Sequence, residues 1–286
     1  MYAIAAHDAR RPRESVQARF ATGTVASLLQ VRKNGQMVLV SAYHRPPSAA
    51  DALALLLRPG VRSALLGGGT TLNPALTDTQ NQTRQPVEVI DLQQAGLSGI
   101  RREGAAVIIG ATTTLQDVFT STDVTEGLRE LARREQPSTL RTLATIGGTI
   151  AAAHPESEFI AGLLALEATL ELLDASGTRS VPIAEVLTNP SALLASVIIS
   201  VSFPHGGKMI SARTTRTPMD RAIVCVVGYR TETGGVTLTA TGIAPTATTL
   251  IAGAPVSPPG DFRGSSRYRT ALLRTHAARV AEQLAN

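Results

Sequence analysis

Two glycine-rich runs, Leu66-Gly67-Gly68-Gly69-Thr70-Thr71-Leu72 and Thr145-Ile146-Gly147-Gly148-Thr149, hold the residue types best suited to binding chemistry in this chain. In each, the missing Cβ lets bare backbone N–H groups approach an anion. Threonine hydroxyls flank the glycines and add donors without adding charge. One such run is an ordinary tight turn. Two of them, about eighty residues apart, suggest loops converging on one phosphate-bearing cofactor.

The first run lacks the Lys-Ser/Thr of a P-loop and the spacing of a Rossmann fingerprint. ATP and NAD by the usual motifs are disfavoured, which leaves a diphosphate cradle or a structural turn. In the second run, Ile146 can lie against a flat ring while adjacent N–H groups bond its polar edge; the alternative is a helix C-cap and turn. The following His154-Pro155-Glu156-Ser157-Glu158 suits the first turn of a helix. The Glu158 carboxylate can equally hold sugar-type hydroxyls.

Other chemistries find little support. Cys225 is the only cysteine, which excludes disulfides within the chain and cysteine-ligated zinc or iron–sulfur sites. Its apolar flanks make it a buried small hydrophobe rather than a reactive thiol. The histidines are scattered without metal-ligand spacing, so no metal site and no catalytic set is assigned. Aromatic residues are 3% of the chain with no Trp, against a stacking surface for nucleic acid. No apolar run is long enough to span a membrane.

The elements that must carry the two runs are readable from pattern. Ser48 caps a helix over residues 50–57, stopped by Pro59-Gly60. Ser63-Ala64-Leu65-Leu66 is a short strand feeding the first glycine run, and 87–92 and 106–110 are further strands. Helices follow over 114–119 and 125–134, then 156–166 after the second run. Residues 168–173 and 178–182 form a hairpin around Ser176-Gly177. From about Ser191 the text becomes β-rich, over 197–201, 222–229 and 235–240, and a helix from about Ser266 closes the chain. The layout is α+β: two lobes holding the glycine runs, then a smaller α+β domain.

The formal net charge is +5. Residues 1–36 hold six basic residues against two acidic ones, so the basicity belongs to this leader and the rest is close to neutral. The leader has no secretory h-region. Its Arg-rich, acid-poor text also fits a transit peptide, but it reads better as a flexible tail or an over-long start with Met37 as the true one.

The stretch from Tyr43-His44-Arg45-Pro46 to Leu173 resembles the FAD-binding medium subunit of the molybdenum hydroxylases, the xanthine dehydrogenase and aerobic carbon monoxide dehydrogenase family. The landmarks occur in order: Arg45-Pro46-Pro47-Ser48, the Gly-Gly-Gly-Thr-Thr-Leu-Asn-Pro loop, Val89-Ile90-Asp91-Leu92, Ile109-Gly110-Ala111-Thr112-Thr113-Thr114, and Thr145-Ile146-Gly147-Gly148. Gly242-Ile243-Ala244-Pro245 and Gly264-Ser265-Ser266-Arg267-Tyr268-Arg269 are similar to that family's C-terminal domain. The resemblance implies a two-lobed flavin fold of the vanillyl-alcohol-oxidase (PCMH) type over residues 37–190, and a carbon monoxide dehydrogenase flavoprotein-like domain over 191–286, shortened between Ala254 and Phe262.

It further implies FAD as cofactor. Gly67, Gly68, Gly69, Thr70 and Thr71 would bind its diphosphate, with Leu66 and Leu72 beside them among the cofactor-binding residues. Thr145, Ile146, Gly147, Gly148 and Thr149 would complete the phosphate and flavin contacts, and Glu158 would stand near the ribityl chain. The implied role is an electron-transfer subunit in the cytoplasm, part of a hetero-oligomer with a [2Fe–2S] small subunit and a molybdopterin-binding large subunit. Alternatives are a scaffold of the same fold that has lost FAD, or a stand-alone flavoprotein oxidoreductase. Gly67, Thr149 and Glu158 depart from the family pattern, which is expected to loosen the hold on FAD.

Overall fold

The computed structural model describes residues 29–33, 36–77, 87–218 and 220–286. In chain order its elements begin with β1 (Leu29–Lys33), β2 (Gln36–His44), α1 (Ala49–Leu56), β3 (Ser63–Leu66), α2 (Leu72–Thr77) and β4 (Val87–Asp91). These strands form one sheet in the order β1-β2-β4-β3, with β2 and β3 parallel to β4 and β1 antiparallel to β2. Parallel neighbours require crossovers, and α1 and α2 are the helices that cross. Ser48 caps α1 by accepting from the Asp51 N–H at 3.1 Å. Ala52 and Leu53 on its inner face join a small core with Ile90 and Leu92.

The expected leader lies outside the described residues as far as residue 28. Beyond that the reading is corrected: Leu29–Lys33 is a strand paired with β2, and Met37 lies inside β2. Backbone pairing to β2, not tail composition, decides this stretch.

The second lobe contains β5 (Ile100–Glu103), β6 (Ala106–Gly110), α3 (Leu115–Thr120), α4 (Glu126–Glu135), α5 (Ser138–Arg141), α6 (Ile146–Ala152) and α7 (Glu158–Ala165). It continues with β7 (Thr169–Asp174), β8 (Gly177–Pro182), α8 (Ile183–Thr188) and β9 (Val197–Pro204). Its sheet runs β5-β6-β9-β7-β8 and is antiparallel throughout. The α+β architecture expected from the pattern is the one the chain adopts, but the boundary at 190/191 is not kept. β9 pairs with β6 on one side and β7 on the other, so it is the central strand of the second lobe.

The last sheet is β10 (Lys208–Thr214), β11 (Val224–Arg230), β12 (Val236–Thr241) and β13 (Thr248–Thr249), with α9 (Ser266–Ala285) packed on β10 and β11. Helix α7 covers the opposite face of β11 and β12, and all of its residues are buried. This explains why β11 reads as an unbroken apolar run: both of its faces are covered. Val224 and Val226 pack with Val280 and Leu284 of α9, whereas Cys225, Val227 and Tyr229 belong to the core of the second lobe. The last sheet therefore has one face on a small core shared with α9 and the other face on the core of the second lobe.

A chain cut after residue 206 should lose cooperative thermal unfolding. It would strip Met209, Val227 and Tyr229 from the main core, at about 1.5–3 kcal/mol for each large apolar side chain. That is comparable to the whole stability of a typical domain, about 5–15 kcal/mol. A sharp melt in the truncated chain, followed by circular dichroism, would contradict the shared core.

Candidate functional site

Strand β3 runs parallel to β4 with Leu66 beside Asp91, and the chain leaves the sheet at Gly67. The turn from Gly67 to Thr71 delivers it to α2. Gly69 has φ +72°, and a Cβ there would lie 2.6 Å from the Asn73 side chain, so this position needs glycine. The Asn73 N–H donates to the Gly69 carbonyl at 3.0 Å and closes the turn. Among the described residues, nothing accepts a hydrogen bond from the N–H groups of Gly67 to Thr71, and the Thr70 and Thr71 hydroxyls have no partner. Five consecutive amides are left free.

The second run is built in the opposite sense. It is neither a C-cap nor a turn between helices: Thr145 is the N-cap of α6, and the Gly147-Gly148 pair lies in its first turn. The N–H groups of its first three residues, which a helix start leaves open, are all taken. Ile146 N–H donates to Thr113 O at 2.9 Å and Gly147 N–H to Ala111 O at 2.8 Å. Gly148 N–H donates to Thr145 Oγ1 at 3.2 Å and Thr149 N–H to Thr145 O at 2.9 Å. The Thr149 hydroxyl also turns back to Thr145 O, at 2.9 Å. Gly147 is required by packing, since a Cβ would stand 2.9 Å from both Cβ and O of Ala111. Ile146 is fully buried in the main core and does not line the cleft described below.

The two runs touch. A Cβ on Gly68 would fall onto the Leu143 carbonyl, and one on Gly67 would lie 2.5 Å from Thr145 Oγ1. Beside this contact is a cleft of about 120 Å³ between the first two sheets. Its walls are the aliphatic side chains of Leu65, Leu92, Leu193 and Ile198; Thr112, Thr145 and Ser196 supply hydroxyls. Of the residues singled out from sequence, Gly67, Thr145, Gly147 and Gly148 line it, while the free turn from Gly68 to Thr71 continues from Gly67. Leu66 ends β3 and Leu72 begins α2. Sequence reasoning missed Thr112, although it stands inside a run of three threonines. It also missed Leu92, which directly follows Asp91.

Glu158 lies apart from this cleft. Its carboxylate does not line the cleft but is buried among arginines, with Arg213 Nη1 at 3.0 Å and Arg134 Nη1 at 3.6 Å. At the end of α4 Glu135 is also buried, bonded to the Ser157 hydroxyl at 2.9 Å and to Arg221 at 3.0 Å. Burial pushes both carboxyls above the usual carboxylate range, while Arg213 and Arg134 pull Glu158 down, and Arg221 pulls Glu135 down. Arg213 and Arg221 come from β10 and from the link to β11, so these pairs fasten the last sheet to α4 and α7. Cys225 lies beside them, fully buried, with burial raising its thiol well above the usual range.

The landmark Asp91 has a structural use. Its carboxylate accepts from Tyr43 Oη at 2.7 Å and from the Gln93 N–H at 2.9 Å, and pairs with Arg45 at 3.1 Å. Burial, together with the bond to Asp91, pushes the Tyr43 hydroxyl up to about 12. Tyr43, Arg45 and Asp91 thus tie the ends of β2 and β4 beside the first glycine run. No helix among the described residues is long and apolar enough to cross a membrane.

A family model described as the FAD binding domain in molybdopterin dehydrogenase matches residues 35–206. The carbon monoxide dehydrogenase medium chain of Hydrogenophaga pseudoflava is 38% identical over 144 residues, 49% of this chain and 49% of the relative. The carbon monoxide dehydrogenase medium chain of Afipia carboxidovorans is 29% identical over 278 residues, covering 84% of this chain and 95% of the relative. A solved carbon monoxide dehydrogenase from Hydrogenophaga pseudoflava, lacking the Mo-pyranopterin moiety of its molybdenum cofactor, matches with a TM-score of 0.74. The identity there is 26%, over 85% of this chain and 96% of that chain.

Glu158→Gln removes the charge that Arg213 and Arg134 face and leaves those guanidiniums without their buried counter-charge. A loss of about 3–5 kcal/mol is expected, measured by denaturant unfolding. A variant as stable as the parent would show that the Glu158 pairs do not hold the last sheet in place.

Proposed function

The chain belongs to the family of FAD binding domains of molybdopterin dehydrogenases, and from that premise we propose that Gly67 to Thr71 hold the diphosphate of FAD. The chain is the FAD-binding medium subunit of a molybdenum hydroxylase, an oxidoreductase component. The observation that carries the diphosphate assignment is the set of free N–H groups from Gly67 to Thr71. An anion enclosed by such a turn receives several hydrogen bonds from groups that have no other partner. No lysine or arginine stands within Leu66 to Leu72, so backbone dipoles and the Thr70 and Thr71 hydroxyls do the neutralising.

When bound, FAD would supply the redox chemistry of this chain, between [2Fe–2S] clusters of a partner subunit and an external acceptor. The chain's own residues bind and orient. The second glycine run, with its amides already spent on Ala111, Thr113 and Thr145, acts as a brace that fixes the first run through Gly68. Gly147, Gly148 and Thr145 offer the ligand a wall, and Thr145 Oγ1 retains a proton to donate. The aliphatic walls of the cleft exclude water from the ligand's uncharged portion. The partners in this reading are a [2Fe–2S] small subunit and a molybdopterin-binding large subunit, assembled in the cytoplasm.

Saturating FAD should raise the melting temperature of the purified chain. At a hundred times Kd the linkage contributes about 2.7 kcal/mol, a rise of roughly 5–10 °C for a protein of this size. A colourless protein whose melt ignores FAD would instead favour a scaffold of the same fold. Gly68→Ala should abolish the shift by colliding with the Leu143 carbonyl, whereas Thr149→Ala should keep it, because that hydroxyl is spent on Thr145 O. The reverse pattern would move the diphosphate to the second run.

A further inference from the structure

Three threonines follow one another where β6 leaves its sheet, and two of the three hydroxyls are absorbed by the fold. Thr113 Oγ1 donates to Gly99 O at 3.1 Å and accepts from Gly99 N–H at 2.9 Å. Thr114 Oγ1 donates to Asp117 Oδ2 at 2.7 Å and accepts from the Asp117 N–H at 3.1 Å, completing a capping box for α3. Thr112 is different. Among the described residues its hydroxyl has no partner, and it lines the cleft.

The backbone around Thr112 is held firmly. Ala111 donates to Ile199 O at 2.9 Å and accepts from Gly147 at 2.8 Å, and the Thr112 N–H donates to Leu97 O at 2.9 Å. The β-branch restricts χ1 further, so the hydroxyl carries little orientational freedom. The other two hydroxyls of the lining each have a partner within the fold, which leaves Thr112 the one without: Thr145 Oγ1 accepts from Gly148 N–H at 3.2 Å, keeping its own proton, and Ser196 Oγ donates to Leu193 O at 3.0 Å. Around them stand Leu65, Leu92, Leu193 and Ile198, which offer a hydroxyl nothing. Once a ligand displaces water from such a surface, an unpaired hydroxyl is a net cost unless the ligand pairs with it.

We propose that Thr112 Oγ1 hydrogen-bonds a polar atom of the FAD lodged in the cleft, and is a further binding residue outside both glycine runs. This rests on the reading that FAD occupies the cleft. Valine has the shape of threonine without the hydroxyl, and serine keeps the hydroxyl without the methyl, so the two substitutions separate hydrogen bond from packing.

The test is titration of FAD into the apo-forms of the parent, Thr112→Val and Thr112→Ser, by flavin fluorescence, with the apo melting temperature of each as the folding control. Thr112→Val should bind about three- to tenfold more weakly, the usual worth of one neutral hydrogen bond, with an unchanged apo melt. Thr112→Ser should stay within about twofold of the parent, because its donor is retained. Parental affinity in Thr112→Val overturns the proposal, and so does equal weakening in both variants, which would make the methyl the contact. A Thr112→Val chain whose apo melt falls sharply would make this hydroxyl structural and overturn it as well. If the parent binds no FAD, the underlying reading fails and this one with it; parental binding with an unaffected Thr112→Val chain sinks this one alone.

Discussion

The backbone contact between Gly68 and the Leu143 carbonyl is the constraint on which the rest of the site depends. Two lobes with separate sheets approach there until no side chain fits between them. Such an approach needs one partner with no Cβ and another whose position is fixed. Leu143 is fixed because the next residues are bonded into the turn after β6: Leu115 N–H to Ala144 O at 2.8 Å and Ile146 N–H to Thr113 O at 2.9 Å. The second glycine run spends its hydrogen bonds on rigidity, and the first keeps its own unspent. One run is braced so that the other can bind.

A similar division governs the charges. Carboxylates at Glu135 and Glu158 are too costly to bury alone, and each is met by an arginine from the last sheet. Those pairs sit within a main core that already includes Cys225, Val227 and Tyr229 of β11. Apolar contact supplies the attraction between second lobe and last sheet, and the buried pairs restrict how the two can meet. The cleft, by contrast, has aliphatic walls and unpaired backbone donors on its margin. Its affinity for an anion comes from dipoles rather than from a fixed charge.

Much of this was legible in the sequence where a pattern has one physical meaning. Ser48 before an Ala/Leu stretch, the strand at Ser63–Leu66 running into glycines, and the hairpin around Ser176-Gly177 all lie where pattern placed them, within a residue or two. Strand β9 was assigned to the wrong side of a boundary because an apolar run shows that a strand is buried, but not which sheet buries it. The helix start at the second glycine run was not read from sequence because Gly-Gly there is uncommon; the Thr145 cap three residues before Gly148 was the available signal. Glu158 was placed near the ribityl chain by family resemblance, and its spacing alone suited the first turn of a helix. Its partners Arg134 and Arg213 are remote from it in sequence, so its burial could not be read locally. Thr112 was hidden by its neighbours, since three equal side chains give no hint which one the fold leaves free.

Hydrogen exchange of the backbone amides, followed by mass spectrometry with and without FAD, tests the central claim most directly. Amides already bonded within the protein exchange slowly whether or not a ligand is present, while free ones are protected only by what binds them. Residues 67–71 should therefore exchange rapidly in the apo-chain and become protected when FAD is added, with residues 146–149 slow in both states. Rapid exchange at 146–149 that slows on adding FAD, with 67–71 indifferent, would contradict the account by making the second run the cradle and the first run the brace.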